Sequence, residues 1–295
     1  DIDTVFMGDI MSVSKIGVLG AGQMGSGIAQ VSLMSGLQVV LNDVTEAVLA
    51  RSRAGIGKGL DILVRKEKIT TQEKERALNG LQTTTDPCDF ASCDLVVEAA
   101  TEREELKLSL FRKLDEAVPA GRILATNTSS ISITKIAAAT NRPAQVIGMH
   151  FMNPVPLMKL VEVIRGLQTS TETFDATMAL ARALGKEPVP ANDFPGFIAN
   201  RILMPMINEA VYALMEGVGE AADIDAIMKM GANHPMGPLA LADLIGLDTC
   251  LEVMNVLQQG LGDSKYRPCP LLRKHVDAGY LGKKTGRGFY TYEKT

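Results

Sequence analysis

One histidine and one carboxylate stand out in a largely apolar stretch of the chain, residues 149–163 (MHFMNPVPLMKLVEV). His150 is one of only three histidines, and an imidazole exchanges protons near neutral pH, as the oxidation of an alcohol requires. In the strand predicted after the NPVP connection, period-two alternation places Glu162 on one face with Leu160 and Ile164. A carboxylate among apolar side chains needs a donor. The connection lets the two segments lie side by side, so we predict that Glu162 orients His150 and stabilises its imidazolium.

Other interpretations of these residues stay open. A lone histidine is more often a hydrogen-bonded residue of the core than a base, and Glu162 could belong to the exposed face of an edge strand. The other histidines, His234 and His275, lie in loop-like or charged surroundings, which indicates structural or solvent-exposed positions.

A glycine-rich turn near the start of the chain predicts a dinucleotide site. Gly20, Gly22 and Gly25 form G-x-G-x-x-G between an apolar strand and a helix, and Asp43 follows the second strand. The first two glycines permit a tight turn close to a pyrophosphate, the third lets the helix pack on the strand, and the helix N-terminus favours the anion. Asp43 suits the adenosine ribose hydroxyls and repels a 2′-phosphate, which favours NAD over NADP. The alternatives are a plain strand–helix turn and an Asp43 that only caps the next helix.

The elements that must position these residues follow from hydrophobic periodicity. Continuous apolar runs, typical of parallel strands buried on both faces, alternate with helix-type stretches, as in a doubly wound sheet. Residues 45–80 are charged and helical in pattern, which predicts two helices in an excursion from the sheet. The predicted strands are 15–19, 39–41, 94–100, 122–130, 145–151 and 159–165.

The pattern changes after the Pro-rich connection GKEPVPANDFPGF, where amphipathic helices replace strands. We therefore predict an α/β, Rossmann-like doubly wound sheet over residues 1–192, which binds NAD. A second, all-α C-terminal domain over 193–295 is predicted to serve substrate binding and dimerisation. The helices from 196 to 257 carry more apolar residues than one small helical layer hides, which predicts a homodimer through this domain.

Composition excludes several classes of protein. The net charge of −4 and the lack of a long Lys/Arg block argue against a nucleic-acid surface, and the apolar runs are too short to span a membrane. The first ten residues hold three Asp and no Lys or Arg, so neither a signal nor a transit peptide is expected, and Met11 is a candidate alternative start. Four cysteines without metal-ligand spacing predict free thiols, no metal site and a cytoplasmic protein.

Four motifs together carry a family resemblance. In order and spacing, GAGQMGSGIAQ (20–30), NTSS (127–130), HFMNPVPLMKLVEV (150–163) and FPGFIANR (194–201) resemble the L-3-hydroxyacyl-CoA dehydrogenase family, and GKKTGRGFY (282–290) is similar to its closing segment. The resemblance covers nearly the whole chain. It implies NAD-dependent interconversion of 3-hydroxyacyl-CoA and 3-oxoacyl-CoA by a Rossmann-like domain and a dimer-forming helical domain. In length the chain resembles the monofunctional members that act on short acyl chains.

The resemblance also implies roles for individual residues. His150 and Glu162 match the family's catalytic pair, and Ser129 and Asn200 match active-site residues that contact and position the substrate. Lys66 lies on the excursion, where the family binds the CoA portion. The cofactor positions that the resemblance adds are Gln23, Met24, Glu102, Lys107 and Asn127, of which Glu102 and Lys107 match contacts of the nicotinamide half; Asn153 is a further substrate position.

Plainer interpretations of these residues stay open as well. Without the resemblance, Ser129 is a turn residue after a strand, and Asn200 is a surface residue of an amphipathic helix. Glu102 and Lys107 then belong to a solvated helix N-terminus. Four cations of the excursion are candidates for CoA binding, namely Lys58, Arg65, Lys66 and Lys68, and a solvated helix face explains any single one of them better.

Other activities compete with this interpretation. Tyr280 and Lys284 form the Y-x-x-x-K pattern of short-chain dehydrogenases, but Gly282 lies between them in a stretch poorly suited to a helix, so we interpret the match as coincidence. No lysine of the predicted helical domain matches the 6-phosphogluconate type of dehydrogenase. A dehydrogenase of a free hydroxy or sugar acid, such as L-gulonate, and a crystallin-like relative without activity stay as alternatives.

Overall fold

The computed structural model describes residues 13–293, so Met11 and the first ten residues lie outside the described part of the chain. The chain divides into two compact units, the first ending at Asp193 and the second beginning at Phe194. Each unit has its own buried apolar core, as expected of two separately folded domains.

The first unit is built around one eight-stranded sheet. Its strands are β1 (Lys15–Leu19), β2 (Gln38–Asn42), β3 (Leu81–Thr84), β4 (Leu95–Glu98), β5 (Ile123–Thr126), β6 (Val146–Phe151), β7 (Leu160–Arg165) and β8 (Glu187–Asn192). Their order is β3-β2-β1-β4-β5-β6-β7-β8, and only β6 and β7 pair antiparallel. The order reverses between β1 and β4, and the carboxyl ends of strands at such a point form a ligand crevice. The predicted Rossmann-like, doubly wound class is confirmed.

Two strands of this sheet are absent from the sequence prediction. β3 is short and mostly polar (LQTT), and β8 contains Pro188 and Pro190, which cannot donate to a ladder. The Glu187 N–H donates to the Lys159 carbonyl (2.9 Å). Pro188 and Pro190 alternate with Glu187, so their missing donors face the open side of an edge strand.

The predicted strand 122–130 ends early, at Thr126. Side-chain hydroxyl oxygens accept hydrogen bonds from backbone N–H groups that would otherwise have continued the strand pairing. The Thr128 N–H donates to Thr126 Oγ1 (3.1 Å), and the Ile131 N–H donates to Thr128 Oγ1 (3.0 Å). The NTSS motif is therefore a turn at the end of β5, because local side-chain acceptors compete with the sheet.

Helices connect these strands, and two of them form the predicted excursion between β2 and β3. The helices of the first unit are α1 (Gln23–Met34), α2 (Glu46–Arg65), α3 (Thr71–Asn79), α4 (Glu104–Ala117), α5 (Ile133–Ala137) and α6 (Thr171–Ala183). α2 buries a stripe at helical spacing, namely Leu49, Ser52, Ile56 and Leu60. The remaining faces of α2 keep their charges in solvent.

The second unit is helical. Its helices are α7 (Ala199–Met215), α8 (Ala221–Gly231), α9 (Pro238–Ile245), α10 (Leu247–Leu261) and α11 (Pro270–Asp277). Two buried aspartates fasten its closing segment: Asp243 accepts bonds from the Phe289 and Tyr290 amides (3.0 Å each), and Asp225 accepts one from the Tyr290 hydroxyl (2.8 Å). Across residues 13–293, no helix combines the length and the apolar character that a membrane crossing demands.

Candidate active site

The turn between β1 and α1 brings together the glycines of the G-x-G-x-x-G pattern. Gly20 has a φ of +100°, and a Cβ there would lie 2.7 Å from the carbonyl oxygen of Ala99. A Cβ on Gly25 would overlap the carbonyl oxygen of Gly20. A Cβ on Gly22, in contrast, would meet nothing within 4 Å, and Gly22 caps α1 without a side-chain hydrogen bond. The open side of the turn and the helix N-terminus behind it fit the pyrophosphate of a dinucleotide.

Asp43 lies beside this turn, directly after β2. Its Oδ2 accepts a hydrogen bond from the Ala21 N–H (2.7 Å), and its Oδ1 accepts one from the Val44 N–H (2.8 Å). Thr45 caps α2, because its Oγ1 accepts the Val48 N–H. The alternative that Asp43 only caps the next helix is therefore wrong. Its carboxylate is fixed where a dinucleotide fold holds the adenosine ribose.

The first turn of α1 carries Gln23 and Met24. Gln23 is exposed, and its Nε2 donates to Oδ1 of Asn153 (3.1 Å) in the connection between β6 and β7. Met24 is half-buried against the core of the first unit. The side chains of Gln23 and Asn153 thus tie the chain that follows His150 to the N-terminal turn of α1.

His150 and Glu162 face each other across the antiparallel pair β6–β7, where they are direct register partners. Nδ1 of His150 lies 2.8 Å from Oε2 of Glu162, and the residues are 8% and 2% exposed. Because β7 lies between β6 and β8, the alternative of an exposed Glu162 on an edge strand is wrong. A buried carboxylate on one ring nitrogen fixes the tautomer and can stabilise an imidazolium.

Asn127 joins the end of β5 to this histidine strand. Its Oδ1 accepts a hydrogen bond from the backbone N–H of Phe151 (2.9 Å), the residue after His150. Its own backbone N–H donates to the carbonyl of Glu98 (2.7 Å). The carboxyl ends of β4, β5 and β6 are therefore linked where His150 lies.

A buried ion pair lies next to the end of β4. Lys107 of α4 is 1% exposed, and its Nζ lies 2.6 Å from Glu98 Oε1 and 3.3 Å from Glu102 Oε2. Glu98, which is fully buried, also accepts bonds from the Ala100 N–H (2.6 Å) and the Thr126 hydroxyl (2.7 Å). The alternative of a solvated helix N-terminus is therefore wrong for Lys107. Its ammonium is enclosed by two carboxylates.

Glu102 accepts hydrogen bonds from several residues of the turn after β5. Its Oε1 accepts hydrogen bonds from the Ser129 N–H (2.8 Å) and hydroxyl (3.2 Å), and from the hydroxyls of Thr128 and Ser130. Desolvation by this cluster raises the pKa of Glu102, but the Lys107 ammonium and the hydrogen-bond donors outweigh it and hold the pKa below its ordinary value. The carboxylate therefore stays ionised near neutral pH, and it holds the NTSS turn.

Comparison with protein families shows which family the chain belongs to. Residues 15–194 match the family model described as 3-hydroxyacyl-CoA dehydrogenase, NAD binding domain. Residues 196–292 match the model described as 3-hydroxyacyl-CoA dehydrogenase, C-terminal domain.

The chain belongs to the 3-hydroxyacyl-CoA dehydrogenase family. The predicted resemblance and the predicted cofactor, NAD, are thereby confirmed.

Individual members of the 3-hydroxyacyl-CoA dehydrogenase family are similar over nearly their whole length. A probable 3-hydroxybutyryl-CoA dehydrogenase of Deinococcus radiodurans is 60% identical over 94% of this chain and 100% of its own. The 3-hydroxybutyryl-CoA dehydrogenase of Bradyrhizobium diazoefficiens is 55% identical over 95% of this chain and 96% of its own. The crystal structure of (S)-3-hydroxybutyryl-CoA dehydrogenase from Ralstonia eutropha superposes with a TM-score of 0.94 at 52% identity, covering 96% of this chain and 100% of that one.

Two residues that the family resemblance assigns to the substrate lie away from the His150–Glu162 hairpin along the chain. Asn200 is half-buried in the first turn of α7, in the second unit. Lys66 caps the C-terminal end of the 20-residue helix α2, about 30 Å along the helix axis from the Asp43 end. Lys66 is exposed together with the other excursion cations, Lys58, Arg65 and Lys68.

The rival Y-x-x-x-K motif does not form an acid–base pair in this member of the family. Tyr280 lies after α11 outside any helix, and the Arg287 guanidinium stacks 4.0 Å from its ring centre. Lys284 pairs with Asp248 (2.6 Å). The two side chains thus have separate partners, in agreement with coincidence.

The structure gives surroundings for His275 and for all four cysteines. His275 packs its ring 4.8 Å from that of Phe289. All four cysteines are free thiols, and burial raises the pKa of Cys93 to about 11 and that of Cys250 to about 12. Among residues 13–293, no three His, Cys, Asp or Glu side chains are arranged to hold a metal ion.

In the first unit, two buried charged residues, Glu98 and Lys186, are missing from the predicted set. Glu98 ends β4, and its signal was available, because a lone carboxylate closing an apolar run is the same pattern that points to Glu162. Lys186 precedes β8 and is 8% exposed. Its partners are backbone carbonyls, which every residue possesses, so no sequence pattern indicates them.

Proposed function

We propose that the chain is an NAD-dependent 3-hydroxybutyryl-CoA dehydrogenase, which interconverts (S)-3-hydroxybutyryl-CoA and acetoacetyl-CoA. The observation that carries the proposal is the buried hydrogen bond of 2.8 Å between His150 and Glu162 beside a dinucleotide turn. The names of the Deinococcus, Bradyrhizobium and Ralstonia proteins support the substrate, at identities of 52–60%.

His150 is the acid–base group of this proposal. Its Nδ1 is held by Glu162, and we assign Nε2 to the substrate hydroxyl, from which it takes the proton during oxidation. Bound NAD supplies the redox chemistry by accepting hydride from the carbinol carbon. Glu162 stabilises the imidazolium that forms and keeps the ring in the productive tautomer. In the reverse direction the imidazolium returns its proton to the forming alcohol.

The cofactor is assigned to the residues around the turn and the sheet edge. Gly20, Gly22 and Gly25 let the backbone approach the pyrophosphate, Asp43 accepts the ribose hydroxyls, and Gln23 and Met24 supply the first turn of α1. The nicotinamide half is assigned to Glu102, Lys107 and Asn127. The burial of Lys107 supports an indirect role, in which its ammonium fixes Glu102 rather than touching the cofactor.

The acyl-CoA is assigned to residues from several elements. Ser129 and Asn153, on the turns after β5 and β6, are proposed to contact the acyl portion. Asn200 of α7 is proposed to position the reacting group, and Lys66 on the exposed end of α2 to meet the phosphates of CoA. The exposure of Lys66 supports that contact, since a cation in solvent is accessible to an anionic ligand.

Replacing Asp43 with Ala is expected to reduce the preference for NADH over NADPH. The parent should prefer NADH over NADPH in kcat/KM by at least about tenfold, or roughly 1.4 kcal/mol, because a 2′-phosphate would meet the carboxylate. Asp43→Ala should lose most of that preference. The matched control is Asp86→Ala, which removes another turn carboxylate, one that accepts the Cys88 N–H. Equal NADH and NADPH efficiencies in the parent, or an unchanged preference in Asp43→Ala, would refute the assignment.

We also propose a homodimer formed by the second unit. Large apolar side chains on its helices are exposed, namely Ile202 (67%), Ile227 (65%), Met230 (81%) and Leu244 (52%). Exposed large apolar side chains are a feature of protein interfaces, and their number on these helices supports the proposal. A location in the cytoplasm is likewise a proposal, supported by the free thiols.

Placing charges on this surface is expected to break the dimer. Light scattering at about 10 µM should give twice the chain mass for the parent and the mass of a single chain for Ile227→Glu/Met230→Glu, because two carboxylates cannot be desolvated in an apolar interface. Leu167→Glu is the control, since Leu167 is 86% exposed on the first unit. A monomeric parent, or a double variant that stays dimeric, would contradict the proposal.

The activity itself is tested by initial rates with a chain-length series of 3-oxoacyl-CoA esters and NADH. We expect the highest kcat/KM with acetoacetyl-CoA and a decline toward longer chains. Free acids, including L-gulonate in the oxidative direction, serve as parallel substrates. A preference for a free acid would indicate the sugar-acid alternative, and no turnover of any substrate would indicate the crystallin-like alternative.

A further inference from the structure

Lys186 is a buried cation that the proposed machinery does not use. It is 8% exposed, and its Nζ donates hydrogen bonds to the backbone carbonyls of Val155 (2.5 Å) and Met158 (2.9 Å). Burial lowers its pKa, and no carboxylate of the described residues contributes to that shift. Burying an ammonium without a counter-ion is costly, and the hydrogen bonds to these two carbonyls offset that cost.

The backbone of Lys186 is fixed by the end of helix α6. Gly185 has a φ of +71°, and its N–H donates to the Arg182 carbonyl (2.9 Å). The Lys186 N–H donates to the Ala181 carbonyl (3.0 Å). These two bonds form a Schellman motif, and β8 begins at the next residue. The side chain therefore projects from a rigid junction between α6 and the sheet.

The carbonyls that Lys186 binds belong to the loop of residues 152–159, which joins His150 on β6 to Glu162 on β7. This loop also packs on the cofactor helix. A Cβ on Gly27 of α1 would lie 2.7 Å from Cβ of Val155, which is 2% exposed. The loop thus connects the strands of the His150–Glu162 pair and packs on helix α1 of the proposed cofactor site, and Lys186 binds its backbone.

We propose that Lys186 is a positioning residue, which holds the 152–159 loop against α1 and so sets the spacing between the bound dinucleotide and the His150–Glu162 pair. The inference rests on the proposed function. The side chains of the pair meet because His150 and Glu162 are register partners in the β6–β7 ladder, whereas the Lys186 ammonium donates to carbonyls of the connecting loop. Loss of Lys186 therefore changes placement and cofactor affinity, and it leaves the proton exchange of the pair unaltered.

The test is Lys186→Met, which keeps the aliphatic chain and removes the donors. We expect kcat with acetoacetyl-CoA and NADH to fall roughly tenfold or more, since a misplacement of about 1 Å costs on the order of 10²-fold. The NADH dissociation constant, from fluorescence titration without substrate, should rise several-fold. The amides of Leu157 and Met158, which donate to the Pro154 carbonyl, should exchange with deuterium faster. The acid limb of the pH profile should stay in place.

Lys159→Met is the matched control, because Lys159 belongs to the same loop but pairs in solvent with Glu187 (3.2 Å). It should keep kcat, NADH affinity and amide exchange within about twofold of the parent. Lys186→Arg keeps the charge and has N–H donors on a larger, planar group. Its kcat and NADH affinity should lie between those of the parent and those of Lys186→Met. If Lys186→Met does not fold, Lys186→Arg takes its place, with both kcat and NADH affinity expected below the parent.

Three results with Lys186→Met would overturn the role of Lys186. In the first, the variant keeps the kcat and the NADH affinity of the parent. In the second, kcat falls only in proportion to the folded fraction of the protein, and NADH affinity is kept. In the third, the acid limb of the pH profile moves. Parental kcat and affinity in Lys186→Arg despite faster exchange of the loop amides would overturn it as well. A parent without turnover would refute only the proposed function, because the NADH titration and the amide exchange test Lys186 without turnover.

Discussion

Glu162→Gln is expected to lower kcat/KM for the oxidation of 3-hydroxybutyryl-CoA by roughly 10²-fold or more, because the imidazolium that forms in the reaction loses its partner. The glutamine side chain retains the size of the carboxylate and can still hydrogen-bond to Nδ1 of His150. Most of the loss should therefore appear in kcat and little in KM. Steady-state rates with NAD at fixed pH measure it.

The control for this loss is Glu187→Gln, which removes an exposed carboxylate paired with Lys159. It should stay within about twofold of the parent, since surface pairs contribute little. Activity of Glu162→Gln within a few-fold of the parent would show that Glu162 has no part in the proton exchange.

The second large effect concerns stability. Lys107→Met should lower the free energy of unfolding of the NAD binding domain by roughly 3–5 kcal/mol, because it leaves the fully buried carboxylate of Glu98 without its cation. Urea unfolding without cofactor measures the change. Adding Glu98→Gln to Lys107→Met should recover much of the loss, since it removes the uncompensated charge.

Lys135→Met is the matched control for this substitution. Lys135 pairs with Glu104 on the surface, where both side chains are about half exposed, and its loss should cost about 0–1 kcal/mol. A loss below about 1 kcal/mol in Lys107→Met, or no recovery in the double variant, would mean that water or a rearranged neighbour satisfies Glu98.

Local patterns in the sequence predict the parts of the site that depend on a single turn or strand. The spacing of Gly20, Gly22 and Gly25 and the position of Asp43 predict a turn in which the structure requires Gly20 and Gly25 for steric reasons. Period-two alternation places Glu162 in an apolar strand, and the short connection puts it opposite His150. These features are predictable because the partners lie close together along the chain.

Contacts between distant segments are less accessible from the sequence. Pro188 and Pro190 suggest a connection rather than a strand, because the tolerance of an edge strand for proline depends on which side faces solvent. Lys107 at the start of an acidic helix suggests a solvated residue, and only the neighbouring β4 shows that Glu98 encloses it. Lys186 binds backbone carbonyls, which carry no sequence signature.

The most direct test of the central claim, that His150 and Glu162 act as one unit in proton exchange, is a double-mutant cycle. kcat/KM is measured with acetoacetyl-CoA and NADH for the parent, His150→Gln, Glu162→Gln and the double variant. We predict that His150→Gln is at least as damaging as Glu162→Gln, and that the double variant is little worse than the worse single one. Losses that multiply in the double variant would contradict the claim, because they would mean that the two residues work separately.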